Sequence, residues 1–92
     1  MLSMKHDQMK EAMKPVVCDW LRRYRSLYKL TQEQMARAFM ISCRSYADWE
    51  HGICCPSGLT FAMFLTFLSK EEQEKFLADI KAEIEKVRQP GS

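Results

Sequence analysis

Four hydroxyl residues divide most of the chain into short segments, and each precedes a stretch in which apolar side chains recur at helical spacing. They are Thr31, Ser42, Ser57 and Ser69. Ser and Thr are favoured helix N-caps because the side-chain oxygen accepts a hydrogen bond from a backbone N–H of the first turn. Gln34 follows Thr31 by three residues, and Glu72 follows Ser69 by three, which is the spacing of a capping box. The sequence therefore predicts that a helix begins directly after each of these four residues.

The spacing of apolar residues predicts five helices in all. Their predicted ranges are 15–29, 32–39, 43–51, 58–68 and 70–88. Pro15 suits the first position of a helix, so we expect residues 1–14 to form an arm or a short helix of their own. Three glycines and three prolines are too few for a turn-rich all-β fold. We expect an all-α fold.

The second and third predicted helices leave two interpretations open: a helix-turn-helix that reads DNA, or ordinary packing in a small helical protein. In a helix-turn-helix, the second helix of the pair lies in the major groove while the first supports it from behind. Ala36 is small enough for close approach of the two helices, and Ile41, Tyr46 and Trp49 can point inward. The opposite side of the third helix then presents Cys43, Arg44, Ala47 and Asp48.

Residues 20–68 resemble the phage-repressor-like (Cro/Xre) helix-turn-helix family. The resemblance rests on the stretches LRRYRSLYKLTQEQMARAF and MISCRSYADWEHG, and on a Pro-Ser pair that opens an apolar helix. The most specific matches are Thr31-Gln32-Glu33, Ala36, Ile41, Ser42 and Trp49-Glu50-x-Gly52. The resemblance implies a lambda-repressor-like DNA-binding domain over residues 15–69, followed by an amphipathic C-terminal helix over residues 70–92.

The same resemblance implies roles for individual residues. Arg44 could contact guanine with two hydrogen bonds and Asp48 could accept one from cytosine, each worth about 1–3 kcal/mol in discrimination. Gln32 matches a position that holds a phosphate at a helix N-terminus. Arg25 and Glu50 match an internal ion pair, so Glu50 is expected to be structural rather than catalytic. The full set of expected DNA-binding residues is Gln32, Ser42, Cys43, Arg44, Ser45 and Asp48.

The sequence also departs from the family pattern. Met40 occupies a turn position where glycine is frequent, so the turn must either tolerate a side chain or adopt another backbone angle. Residues 53–56, where such proteins often carry cations that reach phosphates, are uncharged, and Asp48 adds a negative charge to the expected reading face. These departures keep a second interpretation open: a protein-interaction module or antitoxin with the same fold and weak or no specific DNA binding.

The last predicted helix carries an apolar seam. Its members step by three, four and three residues: Leu77, Ile80, Ile84 and Val87. A seam of about two heptads is too short for an independent coiled coil, so it either dimerises or packs within one chain. We expect dimerisation through helices four and five, because helix four is apolar nearly all round and offers surplus surface.

Composition and motifs argue against an enzyme or a metalloprotein. His51, Cys54 and Cys55 lack the spacing and the fourth ligand of a zinc site, and neither His6 nor His51 has an evident partner for nucleophilic catalysis. The sequence predicts no catalytic residues, no metal and no cofactor. No apolar run is long enough to span a membrane, so we expect a cytoplasmic protein.

These features together predict a sequence-specific DNA-binding transcriptional regulator. The formal net charge of +2 is mildly basic and compatible with a nucleic-acid partner. The expected partners are double-stranded DNA and a second copy of the chain, with a toxin or another regulator as a further possible protein partner. The expected action is that of a dimeric repressor that reads the major groove with helix 43–51.

Overall fold

The computed structural model describes residues 2–88, with side chains from residue 7 onward. Regular structure in this range consists of five helices, namely α1 (Leu2–Leu27), α2 (Gln32–Phe39), α3 (Cys43–Glu50), α4 (Gly58–Phe67) and α5 (Lys70–Arg88). The all-α prediction is therefore confirmed for this range. Residue 1 of the predicted arm and residues 89–92 of the predicted C-terminal segment lie outside the described residues. None of the helices between residues 2 and 88 combines the length and the apolar character that crossing a bilayer requires.

Helix α1 is longer than the sequence predicts. The expectation that residues 1–14 form a separate arm or short helix, with the first core helix starting at Pro15, is wrong: one helix runs from Leu2 through Pro15 to Leu27. Proline cannot donate to the carbonyl of the residue four positions earlier, which is an energetic penalty. Pro15 nevertheless lies on the exposed side, while Met9 and Met13 continue the half-buried face of the helix before it. Packing of that continuing face explains why the helix extends across the proline.

The other helices begin where the caps predict. Both bonds of the Thr31 capping box form: the Gln34 amide N–H donates to the Thr31 hydroxyl oxygen at 3.0 Å, and the Thr31 N–H donates to the Gln34 side chain at 2.8 Å. Ser42 accepts from the Ser45 N–H at 3.1 Å and caps α3 in the same way. The predicted bounds of α2 and α5 are confirmed, and α3 and α4 each end one residue earlier than predicted.

The core is an aromatic cluster between α1 and the rest of the chain. Phe76 of α5 meets the rings of Trp20 at 5.3 Å and Phe64 at 5.4 Å, both edge to face. The Trp20 ring N–H also donates to Asp79 at 2.7 Å, and the Tyr28 hydroxyl lies 3.3 Å from the Glu72 carboxylate. The two helices are antiparallel, because Trp20 in α1 pairs with Asp79 whereas Tyr28, directly after α1, pairs with the earlier residue Glu72.

The corner between α2 and α3 is closed by a left-handed methionine. Met40 has φ +61° and ψ +41°. The N–H of Met40 donates to the Arg37 carbonyl at 3.1 Å, and the N–H of Ile41 donates to the Ala36 carbonyl at 3.0 Å, which is the Schellman arrangement of a helix end. The turn thus keeps the backbone angle that favours glycine and tolerates a side chain, which is 84% exposed.

Helix α3 ends in the same arrangement, here with a glycine. Gly52 has φ +72°. The N–H of Ile53 donates to the Asp48 carbonyl at 2.9 Å, and that of Gly52 donates to the Trp49 carbonyl at 3.2 Å. Both ends of the corner are therefore fixed by backbone hydrogen bonds.

Replacement of Met40 by glycine should stabilise the protein. A non-glycine residue in the left-handed region costs roughly 1–2 kcal/mol. Glycine avoids this strain but loses more backbone entropy on folding, so only part of that cost is recovered. We expect Met40→Gly to raise the free energy of unfolding by up to about 1 kcal/mol, measured by urea denaturation. The matched control is Ala38→Gly, an exposed position inside α2, which should lower that free energy by roughly 0.5–1 kcal/mol. Equal destabilisation by both substitutions would contradict the left-handed turn.

Candidate nucleic-acid interface

Helix α3 is held to the protein by one face. Tyr46 is completely buried, and Trp49 and Glu50 are buried beside it. The Trp49 ring meets Phe39 of α2 edge to face at 5.5 Å, and the Tyr46 ring stacks on Phe39 at 6.2 Å. The prediction that Tyr46 and Trp49 point inward is confirmed. Since these side chains leave from one side of a short helix, its other side is turned away from the core.

Arg25 of α1 and Glu50 of α3 form a bidentate ion pair. The Arg25 Nε donates to Glu50 Oε2 at 2.6 Å, and Nη2 donates to Oε1 at 3.0 Å. The Glu50 side chain is only 2% exposed. Arg25 also donates through Nη1 to the Leu30 carbonyl at 3.3 Å, which ties the end of α1 into the same cluster. This pair fixes the C-terminal end of α3 against α1.

The Gln32 amide and the Tyr46 hydroxyl also lie beside the Glu50 carboxylate. Burial by itself would raise the pKa of Glu50, but the hydrogen bonds from Arg25 and Gln32, with the charge of Arg25, hold that pKa below its usual value. The Tyr46 hydroxyl makes no hydrogen bond of ordinary geometry within the described residues, yet burial and the nearby carboxylate both raise its pKa. The Cys18 thiol donates to the backbone carbonyl of Glu50.

Gln32 points toward this buried cluster. Its side-chain amide donates to Glu50 Oε1 at 3.2 Å and is partly buried. The amide nitrogen carries a second N–H, so the expected phosphate contact would have to use that hydrogen or the backbone N–H of Gln32 while the side chain stays bonded to Glu50. Sequence reasoning missed this second role because the partner lies on another helix, 18 positions away.

The remaining expected DNA-binding residues gather at the outer side of α3. Ser42, Cys43 and Arg44 are exposed, while Ser45 and Asp48 are half-buried. The Ser42 hydroxyl donates to the Ser45 hydroxyl at 2.9 Å, so both are engaged in capping the helix. Within the described residues, Arg44 and Asp48 take part in no ion pair, although they are one turn apart. The face thus presents one cation and one carboxylate for contacts outside the chain.

The long α1 brings two cations beside the segment that follows α3. Lys10 and Lys14 line a groove of about 770 Å³ together with Cys54, Cys55 and Phe61. Lys14 is paired with Glu11 at 2.9 Å, and burial raises the pKa of the Cys55 thiol. The sequence does not indicate this neighbourhood, because Pro15 is typical of a helix start and so separates residues 1–14 from the predicted domain.

The residues of the predicted dimer seam are largely covered within one chain. Ile80 packs against the core, Ile84 and Val87 are half-buried, and only Leu77 is mostly outside, at 51% exposed. The unforeseen first half of α1 lengthens the helix against which α5 packs. The seam therefore offers less free surface than its sequence pattern indicates.

The pairing of Glu50 makes stability depend on pH. Because the folded-state pKa lies below the unfolded value of about 4.5, this group contributes stability above that pH and loses it as the pH falls through the folded value. We expect Glu50→Gln to lower the free energy of unfolding by about 3 kcal/mol at neutral pH. The difference between the two proteins should shrink at about pH 3, as measured by denaturant unfolding at both pH values. A difference that is the same at both would contradict the pairing.

The described residues give no sign of a metal centre or a cross-link. Within residues 7–88, no three His, Cys, Asp or Glu side chains come together as a metal ion would require. Cys18, Cys43, Cys54 and Cys55 are free thiols.

The candidate site is an exposed helical face on a buried support. Comparison of the chain with protein-family models, with curated proteins and with solved structures finds no match.

Proposed function

We propose that the chain is a sequence-specific DNA-binding regulator that works in the cytoplasm as a dimeric repressor and reads the major groove with α3. The observation that carries the proposal is the outer face of α3. Arg44 stands exposed near the start of that helix and without an ion pair among the described residues, while Tyr46, Trp49 and Glu50 are buried on its other side. A recognition helix needs the same division between a fixed inner side and a free outer side.

The chemistry of this face suits the edges of base pairs. An arginine can donate two hydrogen bonds to guanine O6 and N7, and a carboxylate can accept from cytosine N4. Arg44 and Asp48 supply these two groups one turn apart. Cys43, the first residue of α3, has a small and exposed side chain that can contact a thymine methyl group.

The support behind the face favours recognition with little loss of entropy. The ion pair of Arg25 and Glu50 and the aromatic contacts of Trp49 fix the backbone of α3 before any ligand arrives. Groups that are already positioned lose less conformational freedom on binding. What binding must still order is the side chains of the outer face, above all the long side chain of Arg44.

The modest charge favours action as a dimer. The chain has a formal net charge of +2, and Asp48 repels phosphates near the reading face. We therefore expect weak binding by one subunit and useful affinity only when two subunits bind adjacent half-sites. Two adjacent major grooves on one side of DNA require recognition helices about 34 Å apart.

One observation favours a second candidate, a protein-interaction module or antitoxin with the same architecture. The exposed Ile53 and Cys54 directly after α3 carry no charge for phosphates. A folded protein that binds no DNA preferentially at low salt, but forms a stable complex with a protein encoded beside it, would favour this candidate.

Arg44→Ala tests the leading proposal. With DNA from the region flanking the chain's own gene, we expect a gel-shift or footprint for the unaltered protein. Arg44→Ala should weaken specific binding by roughly 5- to 150-fold, because a bidentate contact to guanine is worth roughly 1–3 kcal/mol. Circular dichroism should show an unchanged helical fold, since Arg44 is exposed.

The matched control is Arg88→Ala, which removes the same charge from an exposed position on α5. It should change specific binding far less than Arg44→Ala. Equal effects of the two substitutions would show that Arg44 contributes only non-specific attraction to phosphates. Unchanged binding by Arg44→Ala would show that Arg44 is not part of the recognition surface.

A further inference from the structure

Cys54 and Cys55 place two thiols side by side in one groove. Both are free, Cys54 exposed and Cys55 half-buried, and both line the groove of about 770 Å³ beside the first half of α1. The Lys14 ammonium group lies within electrostatic reach of both thiols, and the two thiols lie within such reach of each other. The proposed reading of DNA gives these two nucleophiles no role.

The lining of this groove combines balanced charge with apolar surface. Lys10 and Lys14 are opposed by Asp7 and Glu11, and Lys14 is paired with Glu11 at 2.9 Å. The apolar part of the lining includes Met9, Met13 and Phe61. Balanced charge gives no preference for an ionic ligand, whereas the apolar side chains suit an uncharged organic group.

The number of sulfur ligands restricts what the pair can hold. Zinc takes four ligands in a structural site, and within residues 7–88 no third His, Cys, Asp or Glu joins the pair as a metal ligand. Thiolates are soft ligands and select soft partners. Trivalent arsenic that carries one organic substituent is soft and needs two sulfur ligands only, because the substituent occupies its third bond.

We propose that Cys54 and Cys55 form a binding site for an uncharged organic compound of trivalent arsenic. In the reaction with an arsenoxide, two arsenic–sulfur bonds form and the arsenic–oxygen double bond breaks. The two thiol protons leave with that oxygen as water, so neither arsenic nor sulfur changes its oxidation state. The organic substituent lies in the groove against its apolar side chains. This site goes beyond the proposed function and does not depend on DNA binding.

The surroundings of the two thiols suit this reaction. The thiolate is the nucleophilic form of cysteine, and nearby cations favour it. Burial raises the pKa of the Cys55 thiol, while the charges of Lys14 and Lys10 act in the opposite direction. Cys54 is the more exposed thiol and attacks first. Cys55 then closes the ring within the same molecule, which gives it a high effective concentration.

Phenylarsine oxide is the probe, and cysteine variants locate its site. With one equivalent of the probe and an excess of the monothiol mercaptoethanol, the unaltered protein should show a one-to-one adduct by intact-protein mass spectrometry. The dithiol dimercaptopropanol should release it. Cys54→Ser and Cys55→Ser should each lose the adduct, whereas the matched control Cys43→Ser, at another exposed thiol, should keep it. An adduct that persists in Cys54→Ser or Cys55→Ser, or is lost in Cys43→Ser, would overturn the proposal.

Urea denaturation separates the contribution of the groove from that of the thiol pair alone. A ligand stabilises the folded chain only if it binds that state more tightly than the unfolded state. Phenylarsine oxide should therefore raise the urea midpoint of the unaltered protein and leave the midpoints of Cys54→Ser and Cys55→Ser unchanged. An unchanged or lowered midpoint of the unaltered protein would show that the groove adds nothing to the pair, and would overturn the assigned site. Both measurements are made without DNA, so their results are independent of whether the proposed DNA reading fails.

Discussion

The buried carboxylate of Glu50 is the constraint on which the arrangement of the helices depends. Removing a carboxylate from water is unfavourable unless its charge is paired and its oxygens accept hydrogen bonds. Arg25 and Gln32 meet this requirement, from the end of α1 and the start of α2. Because Glu50 closes α3, a single side chain joins three helices. Separation of α1 from α3 would leave a buried negative charge unpaired, and movement of α2 would remove one of the hydrogen bonds that this charge accepts.

This constraint explains how so short a helix can present a surface. An isolated helix of eight residues is unstable in water, so α3 depends on tertiary contacts for its existence. Those contacts involve Tyr46, Trp49 and Glu50, all on one side. The capping bonds of Ser42 at its start and Gly52 after its end need no partner on the outer side. The result is a rigid helix whose outer residues are free to bind, which is the physical basis of the proposed DNA reading.

The local features of the fold could be predicted from sequence because local hydrogen bonds determine them. Thr31 with Gln34, Ser42 and Gly52 each fix a helix end through neighbours in the chain, and the caps at Thr31 and Ser42 are predicted correctly. Pro15 was misread, because whether a proline starts or interrupts a helix depends on packing elsewhere. The same error concealed the neighbourhood of Lys14 and the longer partner of α5.

Features that depend on several helices at once were less accessible. The polar character of Gln32 suited a phosphate contact, but the sequence did not indicate its bond to Glu50. The pattern of α5 showed which residues are apolar and not whether a neighbour covers them. Helix α4 is apolar nearly all round, so its pattern could not distinguish the buried side of the helix from the exposed side.

A double-mutant cycle on Arg25 and Glu50 tests the central claim most directly. The free energies of unfolding of Arg25→Met, Glu50→Gln and the double variant are compared with that of the unaltered protein at neutral pH. Each single substitution leaves a partner unpaired, so the double variant should lose less than the sum of the two, with a coupling of about 1 kcal/mol or more. Losses that add to within about 0.5 kcal/mol would show that the two groups act independently, and would contradict the account of how α3 is held.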